Sequence, residues 1–369
     1  MLISRNAIKS VPENSYFRRN ICAEDLQEHN SEHKKFLDCF PEIVSAFTKG
    51  ESLKIFPDVE EFVKKLLQYN SAAGKKTYGL MTVTAYQMLE KPENLFEGSM
   101  RQARTLGWCI ELLQTCMLLM DDIIDNSTTR RGALCWYRRP DVGTRAVNDT
   151  SLLLALIFEQ LKVNFSEKQY YPELIRVFNE AVSQISIGQY LDFVAARNID
   201  SFNEKTYTNI AVFKTVYYTF KLPVYVSLLL ANKSCDDAYK NEKELLKEMG
   251  ILTLMQNDFL DCFGDEKVVG KAGTDIQEGK CTWLAVQALA RGGDAARAQL
   301  EACYGRADAA SERRVRTLYE RLRLPQLYRD TEQAARKKIL KQIDVIPADN
   351  IVPPALIRKL FHMVYHIPM

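Results

Sequence analysis

The stretch CIELLQTCMLLMDDIIDNSTTRR, residues 109–131, constrains this chain more than any other. Its first twelve residues are apolar but for Glu111, Gln114 and Thr115, the pattern of a buried helix. Three carboxylates follow, Asp121, Asp122 and Asp125, then two guanidiniums, Arg130 and Arg131. On a helix Asp121 and Asp125 lie one turn apart on one face, so their oxygens converge. Carboxylates that close repel unless cations neutralise them. Magnesium, which takes oxygen ligands and completes its octahedron with water and phosphate oxygens, is the natural guest. The arginines would grip the same phosphates as bidentate donors. The expectation is a magnesium–diphosphate site at the mouth of an apolar cavity. The alternative is a solvated acidic helix end followed by a basic loop, and a short motif alone does not separate the two. The apolar run before the acids and a second acidic cluster downstream favour the site.

Helical periodicity dominates from His33 onward, glycine and proline fall between the runs, and no alternating β segment stands out. Helices are expected over 151–164, 172–196, 207–231, 241–263 and 281–291. The alanine- and arginine-rich last third reads as surface helices on the same bundle. The expected fold is all-α, one large helical domain over residues 31–369 around a deep central cavity, preceded by a loose leader at 1–30. With a net charge of +2 and no basic stripe with interleaved aromatics, nucleic acid is not an expected partner. The nine cysteines, irregularly spaced, form neither a disulfide framework nor a zinc pattern, which fits a reducing compartment. The four histidines (His29, His33, His362, His366) lie near the ends, so a histidine-built metal site is not expected. No apolar run is long enough to span a membrane. The leader mixes basic and acidic residues, so the cytoplasm is the expected location, with the mitochondrion as the alternative.

Three further places carry chemistry. In AAGKKTYG, residues 72–79, Lys75 and Lys76 open an apolar helix and are placed to meet a phosphate; a solvated loop is the alternative. In the middle helices, Gln189 and Asp192 sit three apart on one face, and Lys214 stands in an aromatic run. Buried polar groups of this kind need partners, from metal-bound phosphate or from ordinary structural hydrogen bonds. In MQNDFLDCFGDEKVVGKAGTDIQEGK, residues 255–280, Asn257, Asp261 and Asp265 step by four with Asp258 beside them, and Lys271 and Lys280 follow. If the helix continues through Asp265, this is a second magnesium platform; a charged helix end is the alternative.

Taken together, LGWCIELLQ, DDIIDNSTTRRGALCWYRRPDVG, GQYLDF, FKTVYY and GKAGTDIQEGKCTWL resemble the blocks of the trans-isoprenyl diphosphate synthase family, and of farnesyl diphosphate synthases in particular, from about residue 35 to the C-terminus. The resemblance implies an all-α bundle, usually homodimeric, whose two aspartate-rich motifs hold three magnesium ions against an allylic diphosphate. It makes Asp121, Asp122 and Asp125 the first motif and puts Asn257, Asp258, Asp261 and Asp265 at the second. Arg130, Gln189, Lys214 and Lys271 fall on the allylic diphosphate, with Gln114, Thr215 and Lys280 also in the substrate set.

Departures from the family pattern are equally definite. The family holds isopentenyl diphosphate without metal, using a GGKxxR loop, a second arginine after the first motif and a basic tail. Here Lys75 stands at the lysine position and Arg131 remains, but Tyr78 replaces the loop arginine and the tail reads MVYHIPM. Each hydrogen bond to a charged group is worth roughly 1.5–3 kcal/mol, so two lost donors would weaken that site by about two to four powers of ten. Met117 and Cys116 stand where short-chain synthases often carry bulky aromatics at the cavity floor.

These departures lead to the expectation of a magnesium-dependent terpene synthase, a carbon–oxygen lyase ionising farnesyl diphosphate to a sesquiterpene product. Arg130, Lys214 and Lys271 would assist ionisation, and Trp108, Phe193, Tyr217, Phe259 and Tyr78 would line the pocket for the carbocation. The alternative is a farnesyl or geranyl diphosphate synthase. A non-catalytic subunit of an active synthase is a third reading, against which the intact first motif and Lys214 count.

Overall fold

The computed structural model describes residues 23–49, 56–265, 269 and 272–365. Among them, the regular secondary structure is helical apart from one short hairpin. In order it runs α1 (Ala23–Asp38), α2 (Phe40–Thr48), α3 (Pro57–Ser71), α4 (Thr77–Leu89), α5 (Glu97–Ile124), the hairpin β1 (Thr129–Arg130) and β2 (Ala133–Leu134), α6 (Ala146–Phe165), α7 (Tyr171–Ala195) and α8 (Glu204–Ala211). A π-helical stretch (Val212–Lys221) joins α8 to α9 (Leu222–Leu230). Then come α10 (Lys243–Phe263), α11 (Asp275–Glu278), α12 (Trp283–Cys303), α13 (Ala309–Arg321), α14 (Leu324–Asp344) and α15 (Pro354–Val364). The all-α expectation holds. Of the leader expected at 1–30, residues 1–22 lie outside the described residues, and α1 begins at Ala23.

Helix α5 is the axis. Its 28 residues span about 42 Å at 1.5 Å per residue, and apolar positions are buried on every side because α4, α6 and α9 surround it. Trp108 pins the N-terminal helices to this axis. Its indole stacks between Phe36 (4.9 Å) and Phe40 (4.7 Å), and its Nε1–H donates to the Phe36 carbonyl at 2.9 Å. Truncating such a fully buried ring costs roughly 3–5 kcal/mol. Helix α12 continues past the glycine pair that reads as a helix end, kinking at Gly293 (φ 57°) and finishing at Cys303. Helix α14 packs on α10, and α13 on α12, so the alanine- and arginine-rich segment lies against the helices that precede it.

In the π-helical stretch, the Leu222 N–H reaches back five residues to the Tyr217 carbonyl, and Pro223, which has no N–H, follows at once. Wide turns of this sort gather at functional positions, and here Lys214 and Thr215 face the central cavity.

Candidate active site

The acidic end of α5 is closed by a device visible residue by residue. Asp125 caps the helix, Asn126 turns left-handed (φ 52°), and the Ser127 N–H returns to the Asp122 carbonyl at 3.0 Å. The chain then reverses through a two-residue turn, Arg131–Gly132, both with positive φ, as a type I′ hairpin requires. That reversal folds Arg130 back over the helix end. Its Nε and Nη2 donate to Asp122 Oδ1 (2.9 and 2.6 Å), and Nη2 also reaches Asp121 Oδ2 at 3.2 Å.

Opposite stand α7 and the π stretch. Gly188 lets their backbones touch: a Cβ on it would lie 2.5 Å from the Lys214 nitrogen and 2.8 Å from its Cα. The close approach carries Lys214 Nζ to Asp192 Oδ2 (2.8 Å) and Asp121 Oδ1 (3.3 Å). From the other side Lys280 Nζ binds Asp125, lies 4.0 Å from Asp192 Oδ2 and pairs with Glu278 Oε2 at 3.2 Å. Four elements distant in sequence thus meet in one alternating array of carboxylates and ammoniums.

Charge is unevenly distributed across this array. Burial opposes ionisation of Asp121, but Lys214, Lys280 and Arg130 overcome it and hold the carboxyl well below the usual range. Burial likewise opposes Asp192, which Lys214 and Lys280 pull down. At Asp125, burial and then repulsion from Asp121 win, and its pKa is pushed up to about 7 despite Lys280. Asp125 therefore wants more positive charge than the protein supplies, and its hard oxygen donors beside those of Asp121 suit magnesium.

The second acidic cluster is less uniform than its spacing suggests. Helix α10 ends at Phe263, so Asp265 lies beyond the helix, exposed, and does not share a face with Asn257. Asp261 is buried and accepts the Asp275 N–H at 3.0 Å. Asp258 is buried, accepts the Trp283 N–H at 2.8 Å and is raised by burial to about 7. Asn257 and Asp258 line the cavity, while Asp261 borders a smaller cleft with Arg316 and Glu312.

One cavity of about 900 Å³ collects most of the expected residues. Lys75, Tyr78, Gln114, Met117, Asp121, Arg130, Arg131, Gln189, Lys214, Thr215 and Lys280 all line it. Asp122 and Asp125 stand behind, holding Arg130 and Lys280. Lys271 lies outside the described residues. Cys116 is turned away from the cavity, its thiol on the Thr150 carbonyl (3.3 Å), because the helix rotates it toward α6. The expected aromatic lining also needs correction. Trp108 is buried between Phe36 and Phe40, Tyr217 donates to Glu180, and Phe259 stacks on Tyr328 at 3.9 Å, leaving Phe193 and Tyr78 on the wall.

Two further lining residues lay outside the expected site. Asp192, noted only as a buried polar group, is the hub between both lysines. Glu111 is a buried carboxylate on α5 that accepts the Gly79 N–H at 2.9 Å and so caps α4. Its isolation in an apolar run was the available signal.

The polyprenyl synthetase family profile matches residues 60–322. The chain belongs to that family. Farnesyl pyrophosphate synthase of Rattus norvegicus is 37% identical over 345 residues, covering 92% of this chain and 97% of its own length. The Homo sapiens enzyme is 39% identical over 341 residues, covering 90% and 80%, and that of Murgantia histrionica 38% over 336 residues, covering 90% and 81%. Among solved structures, T. brucei farnesyl diphosphate synthase complexed with risedronate superposes with a TM-score of 0.85 at 29% identity, covering 92% of this chain and 100% of its own. These findings overturn the expectation of a terpene synthase, both as lyase and as sesquiterpene former, because relatives over nearly the whole length are synthases of farnesyl diphosphate. The count of lost cations that led there covered the loop arginine and the tail; Lys76, buried on the cavity wall, was not part of it.

Proposed function

We propose that this protein is a prenyltransferase that joins isopentenyl diphosphate to an allylic diphosphate, giving farnesyl or geranyl diphosphate. The observation that carries the reading is one cavity with two charged regions: the carboxylate–lysine array, and a separate set of cations, Lys75 and Arg131, beside the start of α4.

Asp121 and Asp125, with Asn257 and Asp258 across the cavity and Asp261 at the adjoining cleft, are the residues we assign to magnesium, for which family resemblance suggests three ions with bound diphosphate. When bound, magnesium supplies Lewis acidity at the leaving diphosphate. Lys214, Lys280, Arg130 and Gln189 line the same region and donate to the allylic diphosphate, so its charge meets fixed donors as the carbon–oxygen bond breaks. Lys271 belongs to this set by the same resemblance. Met117, Leu118, Met120, Ile124 and Leu254 form an apolar wall that holds the prenyl chain and keeps water from the cation. Lys75 and Arg131 hold isopentenyl diphosphate at the other end.

A homodimer is part of the proposal. Val147 and Val163 on α6, and Ile187, Tyr190, Phe193 and Val194 on α7, are large apolar side chains left exposed on neighbouring helices. The eight described cysteines are free, which accords with a cytoplasmic location. Among the described residues no helix is long and apolar enough to cross a membrane.

The decisive experiment supplies magnesium with dimethylallyl and isopentenyl diphosphates and, separately, with farnesyl diphosphate alone. A C10 or C15 prenyl diphosphate should form in the first and farnesyl diphosphate should persist in the second. Consumption of farnesyl diphosphate to a hydrocarbon or alcohol, with no elongation, would refute the proposal.

A further inference from the structure

The loop between α3 and α4 presents a substitution that the geometry itself compensates. Tyr78 stands where the resembling family carries an arginine, and its ring is committed elsewhere, packed on Tyr218 with centroids 4.7 Å apart. A phenol there brings no positive charge. Two residues earlier, Lys76 is only 3% exposed, yet it lines the cavity. Its backbone is left-handed (φ 54°), a conformation that strains a residue with a side chain and recurs at functional positions. That conformation takes Lys76 out of the α4 spiral and lays its ammonium over the Trp108 ring at 5.8 Å, with the Ala73 carbonyl as its hydrogen-bond partner.

Arg131 arrives from the hairpin and is fixed against the same loop. It donates to the Asn70 carbonyl, and Gly74 leaves the room it needs, since a Cβ there would lie 2.8 Å from its Nε. A buried ammonium beside a half-buried guanidinium favours an anion between them. The groups facing Lys76 are Arg131, Glu111 of α5 and His33 of α1, with the Trp108 ring beneath. Glu111 is the carboxylate among them, and it already accepts the Gly79 N–H. Burial and then Arg131 depress the Lys76 ammonium from 10.5 to about 8.

We propose that Lys76 is the cation that replaces the missing guanidinium, donating through Nζ to the diphosphate of isopentenyl diphosphate together with Arg131. The inference rests on the prenyltransferase reading, and it assigns the metal-independent subsite of this chain to a lysine that the family's loop pattern does not name. An incoming diphosphate supplies the charge that Arg131 and Lys76 lack.

The test measures binding of isopentenyl diphosphate by calorimetry, with magnesium and a non-ionisable allylic thiolodiphosphate present, to the wild type, Lys76→Met and Lys76→Arg. Lys76→Met should weaken isopentenyl diphosphate by about 10- to 100-fold, the span expected for one hydrogen bond to a charged group. It should leave affinity for the thiolodiphosphate within twofold, and Lys76→Arg should stay within about threefold for both. Wild-type affinity should fall as pH rises through about 8, where the free amine loses its proton, and the arginine variant should lose that dependence. Lys76→Met binding isopentenyl diphosphate as the wild type does overturns the proposal. Equal weakening of both ligands in both variants overturns it too, by making Lys76 a structural residue. A wild type that binds isopentenyl diphosphate through Lys76 but never elongates an allylic substrate supports this assignment while refuting the broader reading.

Discussion

Gly188→Ala tests how rigidly the site is built. The added Cβ would lie 2.5 Å from the Lys214 nitrogen and 2.8 Å from both its Cα and the Phe213 carbonyl carbon. All three are backbone atoms, so no side chain can swing aside. Reaching ordinary contact at 3.4 Å requires the two segments to part by about 0.9 Å. Overpacking of this kind costs about 1–3 kcal/mol, partly offset by the roughly 1 kcal/mol that alanine gains over glycine inside a helix. Stability should therefore change little, by about 0–2 kcal/mol. Catalysis should not be spared. The displaced segment carries Lys214, whose Nζ lies 2.8 Å from Asp192 and 3.3 Å from Asp121. A misplacement near 1 Å at a positioned group lowers turnover by about 100-fold. The measurement is steady-state condensation of dimethylallyl and isopentenyl diphosphates alongside a thermal melt. Turnover within threefold of wild type, with the fold intact, would falsify the claim that backbone contact at Gly188 sets the lysine.

Other consequences are checked as readily. Asp121→Ala removes a carboxylate shared by Lys214 and Arg130 and should lower turnover at least about 100-fold at saturating magnesium, in a single-turnover assay. Glu111→Ala leaves the Gly79 N–H unpaired and should cost about 1–3 kcal/mol in a denaturant titration, whereas Glu111→Gln keeps an acceptor and recovers most of it. Lys76→Met should stabilise the ligand-free protein at pH 7 by up to about 3 kcal/mol, because burial disfavours the ammonium in the folded state. That penalty is full below about 8, where the folded and unfolded chains are both charged. It fades as pH rises toward 10.5, where the unfolded lysine also loses its proton, so melts of both proteins should converge there. Aspartate at both Ile187 and Val194, which are exposed and do not line the cavity, should shift the protein toward monomer in sedimentation velocity if the exposed face of α7 is the dimer contact.

The fold was legible because its evidence is local. Residues 172–196 read as one helix from spacing alone, and α7 occupies 171–195. The first aspartate cluster was legible for the same reason: three acids at the end of a buried helix lie on one element and need no tertiary knowledge. What stayed hidden depends on rotation and on ends. Cys116 and Met117 are adjacent in sequence, yet a helix turns neighbours about 100° apart, so one meets α6 and the other the cavity. The i, i+4, i+8 reading of Asn257, Asp261 and Asp265 assumed a helix that in fact stops at Phe263. Lys76 was seen as a phosphate candidate but not counted in the second-substrate site. A left-handed residue before a helix carries no sequence mark unless it is glycine or asparagine.

The two lysines of the array occupy the places that metal would contest. Lys214 sits between Asp121 and Asp192, and Lys280 between Asp125 and Glu278. The resting protein thus carries its counter-ions on tethers. A divalent ion arriving alone must break those pairs and strand two ammoniums in a buried space, which is unfavourable. Were a diphosphate to accompany it, Lys214 and Lys280 would have phosphate oxygens to pair with in place of the carboxylates, and every charge would keep a partner. On the proposed reading, the site would accept magnesium and diphosphate together, as a neutralised salt, more readily than either ion alone.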